Sequence, residues 1–513
     1  MCRKFKALRT APQSFYDAVV IGAGIGGLIC ANFLARAGAR VLLVEQHFMA
    51  GGYCSTFKRK GFIFDAATHF YPLLGNPATI TGKQLVDLGV QTSWIKMDPV
   101  DQFHFPDDSC FCVPADFETY IGRLKREFPQ EATALDRFFT LARRTYLLGL
   151  LYHFRNRWTE ELEPYLSLSV QDVLDSHFQS RKLKLLLTAD TGHWGSTPSR
   201  TSFVFDSMLR LAYFLGNYYP RGGSQAFADD LAAQFEQNGG HILMSSLVTK
   251  INLSKRSVEG VEIETGIGRL RRRVSVRAPV VVSNADLRLT LEKLIGAEFL
   301  DPDYLASIRQ LRPSLPCSVT HIGLKGIPTD VLGAAQGYHW SSWDPNDVAT
   351  AAFKIFVPTL FDPGVAPAGG QIVIVQKLTP VDFPNVSDWA AQRENIHSYV
   401  MGNLERVIPG FSKYAVVSMA ATALTSYRFT LNHHGAMLGW ELSPDQTTTA
   451  RPDVTCPIRN VYFVGHWTRP GGGITPVMVS ARRVADMVLE GSEGRQRSPI
   501  SLLQPINSMV ASA

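Results

Sequence analysis

Gly22, Gly24 and Gly27 stand at the spacing G-x-G-x-x-G, and Glu45 follows them by about 20 residues. Each glycine answers a separate demand. Gly22 suits a tight turn, Gly24 lets backbone approach a diphosphate closely, and Gly27 lets the following helix pack on the preceding strand. An anion held there would rest on the free N–H groups and the positive dipole end of that helix. A carboxylate at position 45 can accept from a ribose 2′-hydroxyl and disfavours a 2′-phosphate, so FAD or NAD fits better than NADP. His69, inside the run Asp65-Ala66-Ala67-Thr68-His69-Phe70-Tyr71, is a titratable group among aromatic rings. It reads either as a contact to a flavin or substrate or as a hydrogen-bonded structural histidine. Cys110 and Cys112 form C-x-C without partner ligands nearby, which reads as two residues on one face of a strand rather than a metal site. His433 and His434 are adjacent, so their side chains are expected to point apart, and no metal is expected.

The elements around the glycines are in register with this chemistry. Residues 18–21 (AVVI) and 41–44 (VLLV) are short apolar runs expected as buried parallel strands, with a helix over 26–37 stopped by Gly38. Gly51 and Gly52 follow in a loop able to bring backbone close to a phosphate or ring edge, and residues 61–65 read as a further strand. The order recurs near the carboxyl end, where the apolar run 461–464, the bare loop 470–473 and an amphipathic helix over 475–490 form a second strand, glycine loop and helix start.

With 513 residues and 45% hydrophobic content, the chain is long enough for two to four domains with a real core. A net charge of +6 is mild: it favours an anionic membrane surface but is too diffuse for nucleic acid. Seven cysteines, at 2, 30, 54, 110, 112, 317 and 456, are an odd number widely scattered, which suits a reducing compartment. No run reaches the ~18 apolar residues of a spanning helix, and residues 1–15 lack the apolar core of a secretory signal. The stretch 141–158, LARRTYLLGLLYHFRNRW, reads equally as a helix at a membrane interface or a core helix with basic flanks. Aromatic and aliphatic residues over 183–220 suit a greasy tunnel, and core packing would use the same residues. Residues 245–280 read as paired strands with basic hairpin ends that include Arg269 and Arg271, and 317–380 as further strands. H-E-x-x-H, G-x-S-x-G, a Walker lysine and internal repeats are absent.

The blocks VVIGAGIGGLICANFLARAGARVLLVEQ and GGYCSTFKRKGFIFDAATHF resemble the amino end of the phytoene desaturase family of FAD-dependent polyene oxidoreductases, which includes carotenoid desaturases, carotene isomerases and retinol saturases. YPRGGSQA at 219–226, the strands around Ile242 and Val248, VVVSNAD at 280–286 and VYFVGHWTRPGGGI at 461–474 resemble later blocks in order, so the resemblance spans about 16–490. Two positions depart from it. Tyr53 stands where many relatives carry Arg, as in the isomerase and saturase branches, and His466 stands where Asp is usual, which alters a contact to the ribityl or diphosphate region.

The resemblance implies an α/β fold: a Rossmann-like FAD-binding domain, an interleaved α+β substrate domain and a helical membrane-facing region. It implies FAD contacts at Gly22, Ala23, Gly24, Gly26, Gly27, Glu45, Gln46, Gly51, Gly52, Thr56 and Val248, then at Gly465, His466, Gly472, Gly473 and Ile474, with His69 the candidate catalytic group and no metal. The expected order is a flexible basic tail over 1–15, FAD-binding segments over 16–90, 216–300 and 446–491, a substrate and membrane-facing region over 91–215, a substrate domain over 301–445 and a flexible tail over 492–513. The expected activity is carotenoid desaturation, with carotene isomerisation or retinol saturation as the alternative, amine oxidation as the nearest other enzyme and a non-catalytic flavin or carotenoid carrier as the alternative of another class. The implied partners are a hydrophobic polyene, a peripheral membrane surface on the cytoplasmic side or in a plastid, and an electron acceptor such as quinone or oxygen, but no nucleic acid.

Overall fold

The computed structural model describes residue 8 and residues 11–188, 191–266 and 272–492. Ala18–Ile21 and Val41–Val44 are fully buried strands whose side chains alternate between two covered faces. Ala18, Val20, Val41 and Leu43 join one cluster, and Val19, Ile21, Leu42 and Val44 another. That two-sided burial is why both strands are apolar throughout rather than alternating. They sit in a five-stranded parallel sheet ordered Val461–Phe463, Val281–Ser283, Ala18–Ile21, Val41–Val44, His241–Leu243. Helices Ile25–Arg36, Ser224–Gln237 and Ile474–Ser492 cover the first face. The antiparallel strands Ser246–Ser254, Ser257–Thr265 and Arg272–Arg277 help to cover the second.

A seven-stranded sheet forms the other layer, ordered Ala415–Ala421, Cys317–Lys325, Gly370–Leu378, Ala352–Phe356, Gly337–Trp340, Asp101–His104, Cys110–Val113. Its pairs are antiparallel except that Gly337–Trp340 runs parallel to Asp101–His104. The hairpin Thr56–Arg59/Phe62–Asp65 packs on one face through Phe62 and Phe64, which meet Val319, Phe356 and Ile374. Helix Trp389–Val407 packs on the other through Ile396, Val400 and Leu404. Cys110 and Cys112 share the side of their strand opposite the buried Phe111 and Val113.

Several expectations change in three dimensions. The stretch 141–158 divides into the end of helix Ala132–Gly149 and a wider turn over Leu150–Phe154. Ala142 and Leu148 are buried, Leu148 beside Val204 and Met208, while Arg143 and Arg144 pair with Glu118 and Glu161 on the outside. That face of the helix therefore belongs to the core. Residues expected as a loose tail are partly docked, because Leu8 N–H donates to Ile242 O and Phe15 bridges to Arg277. The remainder of 1–7 and 9–10, Arg269 and Arg271, and the tail beyond 492 lie outside the described residues. The rings of His433 and His434 stack at 3.8 Å rather than pointing apart, since His434 takes a left-handed φ of 54°. No described helix is long and apolar enough to cross a membrane.

Candidate functional site

The turn after Ala18–Ile21 is bare backbone. Gly22 has φ +92°, a conformation that side chains resist, and a Cβ on Gly27 would stand 2.0 Å from Gly22 O. Helix and strand can therefore approach only with glycine at both places. Helix Ile25–Arg36 begins at Gly24 with no side-chain cap, so its first N–H groups face the loop without a partner from a side chain. The Gly51–Gly52 loop lies directly beside it, with Gly51 bridged to Gly24. Glu45, 8% exposed, closes this cradle. Its Oε2 accepts from Ala23 N–H at 2.7 Å and its Oε1 from His47 N–H at 2.8 Å. Burial pushes its carboxyl up to about 6, partly offset by those two backbone bonds.

A cavity of about 790 Å³ begins at this cradle and runs between the two sheets. Gly22, Gly24, Gly26, Glu45, Gln46, Gly51, Gly52, Thr56, Val248, Gly465, His466, Gly473, Ile474 and His69 are on its wall. Ala23, Gly27 and Gly472 stand behind it: Ala23 bonds Glu45, Gly27 packs on the turn, and a Cβ on Gly472 would meet Leu438 O at 2.5 Å. The cradle fits a dinucleotide, because a side-chain-free turn, an uncapped helix start and a buried carboxylate converge on one end of a cavity large enough to continue past it.

Near the other glycine loop, His466 is half-buried on the cavity wall and neutral. Its Nε2 lies 3.3 Å from Asn432 Oδ1, which also accepts from Trp467 Nε1 at 2.9 Å. Burial, with the Arg451 guanidinium nearby, pushes it down to about 3. Arg451 is itself buried and donates to the carbonyls of Gln446, Trp440 and Glu441, which ties the 440s loop behind His466.

His69 reaches the cavity from a turn held on all sides. Asp65 accepts from Tyr219 Oη and Ser224 N–H, both at 2.7 Å, and its carbonyl lies 2.9 Å from His321 Nε2. Ser224 Oγ donates to Thr68 O at 2.7 Å. His69 is 2% exposed and stacks on Phe356 at 4.5 Å, with neither ring nitrogen in a well-formed hydrogen bond. Burial pushes it down to about 3, against a smaller opposing effect of the Gln376 carboxamide alongside.

Sequence reasoning passed over Asn284, Lys354 and His193. Asn284 lies against the glycine turn, where a Cβ on Gly26 would meet its Oδ1 at 2.5 Å. Lys354 is 1% exposed and forms a buried ion pair with Asp101. A lysine in the middle of the apolar strand AFKIF was a legible signal of a buried cation. Nothing local marks His193. Among the described residues no cluster of three or more His, Cys, Asp or Glu is placed to hold a metal.

Comparison with known proteins decides the family. The flavin containing amine oxidoreductase family matches over residues 25–489. The chain belongs to that family. It is a flavin-dependent oxidoreductase with FAD as cofactor. An all-trans-retinol 13,14-reductase from Danio rerio is 32% identical over 307 residues, covering 54% of this chain and 49% of that protein, so the match spans about half of the relative's length. Prolycopene isomerase 2, chloroplastic, from an Oncidium hybrid cultivar is 26% identical over 520 residues, covering 94% and 86%. These relatives agree with the resemblance to carotenoid and retinoid oxidoreductases. An oxidoreductase from Methanosarcina mazei superposes with a TM-score of 0.65 at 17% identity over 91% of this chain and 99% of that one. Wild-type putrescine oxidase bound to putrescine gives 0.64 at 13% identity over 93% and 99%. Both show the shared fold.

Proposed function

We propose that this flavoprotein acts on the double bonds of a long, uncharged polyene. One observation carries the reading. Among the described residues the only carboxylate on the cavity wall is Glu45, which belongs to the cradle. An ammonium substrate would therefore find no counter-ion beyond the cradle, and burying an unpaired cation is strongly unfavourable. The wall there is instead Trp194, Leu209, Tyr338, Val348, Phe353 and Leu378, a set that accommodates flat apolar chains. Of the cations on it, Lys377 is turned onto Ala349 O at 2.6 Å, while Arg59 and Arg393 are exposed.

FAD, when bound, supplies a carrier for hydride. The cradle residues Gly22 to Gly27, Asn284 and Glu45 would hold its diphosphate and ribose, and the loops at Gly51–Gly52, Gly465–His466 and Gly473–Ile474 the remainder. The apolar wall orients the polyene and keeps water away. His69, neutral and pushed by burial down to about 3, serves as a flat wall rather than a strong base. A reductase and isomerases among the relatives support saturation or cis–trans isomerisation ahead of net desaturation. Phe48 and Phe429, 55% and 54% exposed, mark where the cavity reaches the surface, with Arg428 exposed next to Phe429, and suit peripheral contact with a membrane.

The test uses purified flavoprotein. A polyene delivered in liposomes should change the flavin spectrum and yield an altered polyene on chromatography, while primary amines leave the flavin unchanged. Bleaching by amines with no response to polyenes would overturn the reading.

A further inference from the structure

Behind the wall of the large cavity lies a second chamber of about 30 Å³, and Phe70, His193 and Tyr213 line both. Three polar side chains that are almost fully buried also stand on the chamber wall: Asp101, Arg210 and Asn217. Asn217 is 1% exposed, and its Oδ1 is buried without a hydrogen-bond partner. Its Nδ2 donates to Met97 Sδ at 3.5 Å, and Met97 is not on the chamber wall. A thioether sulfur offers only lone pairs, so the amide nitrogen belongs on that side and the oxygen on the chamber side. Asp101 spends one oxygen on Gln102 N–H at 2.9 Å and the other on the Lys354 ammonium. A carboxylate has about four acceptor sites, so these two bonds leave room for a further donor. The ammonium in turn holds the partition between the two spaces: it stands 3.8 Å from the centre of the Phe70 ring and 3.1 Å from His193 Nε2.

We propose that this chamber is the seat of an internal water molecule, which donates to Asn217 Oδ1 and to the Asp101 carboxylate and so hydrates the ion pair that fixes Phe70 and His193 in the wall of the large cavity. The size agrees, because a water needs about 10–15 Å³ of such space and two to four polar partners. The chemistry agrees as well. Two acceptors suit a molecule with two hydrogens, whereas a metal ion would meet the cations of Arg210 and Lys354, and an apolar guest would leave both acceptors dry. A buried ion pair holds only where its remaining lone pairs are satisfied, which gives the water its role. It also ties two layers together, since Asn217 follows helix Phe203–Phe214 and Asp101 begins the strand Asp101–His104 of the seven-stranded sheet. Asn217 is thus a positioning residue: it acts on the cavity wall through the water and the ion pair, without standing on that wall itself.

The test is a high-resolution crystal structure of the holoprotein, with and without xenon pressure. Density for a water within hydrogen-bond distance of both Asn217 Oδ1 and Asp101 is expected, and xenon, which enters dry apolar cavities, should stay out of the chamber. Asn217→Leu keeps the branching of the side chain and removes the acceptor. It should displace the water and lower the melting temperature of the holoprotein by at least about 2 °C, with flavin content unchanged. Asn217→Ser is smaller but keeps an acceptor, so it should retain the water and melt closer to the wild type. A merely packing role predicts the reverse order, because leucine fills an apolar gap that serine would enlarge. Xenon in the wild-type chamber, no water density there, or Asn217→Leu melting above Asn217→Ser would each overturn the proposal, and the first two need no variant to fold.

Discussion

The Asn284 carboxamide lies across the glycine turn, its nitrogen 2.8 Å from where a Cβ on Gly24 would stand, and forms no hydrogen bond within the described chain. One amide is thus aimed at the place where the diphosphate and the bare backbone would meet. Gly24→Val should fill that space and abolish flavin binding. Asn284→Ala should keep the fold and weaken FAD binding by about 10-fold or more, the worth of one hydrogen bond to a charged group. Flavin-to-protein stoichiometry and titration of the flavin-free chain measure both. Full occupancy in Gly24→Val would refute this placement.

Glu45 makes the flavin-free protein pH-sensitive. Its carboxyl is raised by burial from 4.5 to about 6, so the folded state holds the proton more tightly than the unfolded chain. That contribution to stability is fully present below about pH 4.5 and is lost as pH rises through about 6, amounting to about 2 kcal/mol. Glu45→Gln stays uncharged throughout. Denaturant titrations of the two flavin-free proteins at pH 4.5 and 7.5 should therefore diverge, with the wild type losing ground at the higher pH. Parallel behaviour would show that the carboxylate is not desolvated.

His69→Phe should retain FAD and slow turnover by less than about tenfold, since a ring with a pKa of about 3 is a poor proton acceptor at neutral pH. For the same reason the pH–rate profile should show no inflection from this residue between about pH 5 and 8. A loss of about 10²-fold with flavin still bound would make His69 catalytic.

Membrane contact should follow the mouth of the cavity rather than the stretch 141–158. Phe48→Ser with Phe429→Ser is expected to weaken liposome binding by at least about tenfold, because each phenyl group withheld from the bilayer forfeits roughly 1.5–3 kcal/mol. Leu147→Ser with Trp158→Ser, both exposed on the other stretch, should change it little. Flotation assays that give the reverse order would return the membrane surface to 141–158.

Local sequence determined the cradle. Gly22, Gly24, Gly27 and Glu45, with the strands Ala18–Ile21 and Val41–Val44 and the helix between them, are specified by short-range rules: backbone room, two-sided burial and one helical period. Those rules act over a few residues and survive without knowledge of the rest of the chain. The strand Val461–Phe463 and the helix after it were legible for the same reason. Tertiary structure decided what lies opposite. The apolar stretch around 141–158 had the composition of either an interface or a core, and only the packing of Leu148 beside Val204 and Met208 settled that face as core. Asp101, His193 and Lys354 are far apart in sequence and carry no shared spacing, so no periodicity could join them. They meet because Asp101–His104 lies in the same sheet as Ala352–Phe356, and because the turn after helix Arg181–Thr188 carries His193 over its face. A long-range contact of that kind depends on the whole topology, and its energy, unlike that of a glycine turn, is invisible in any window of the sequence.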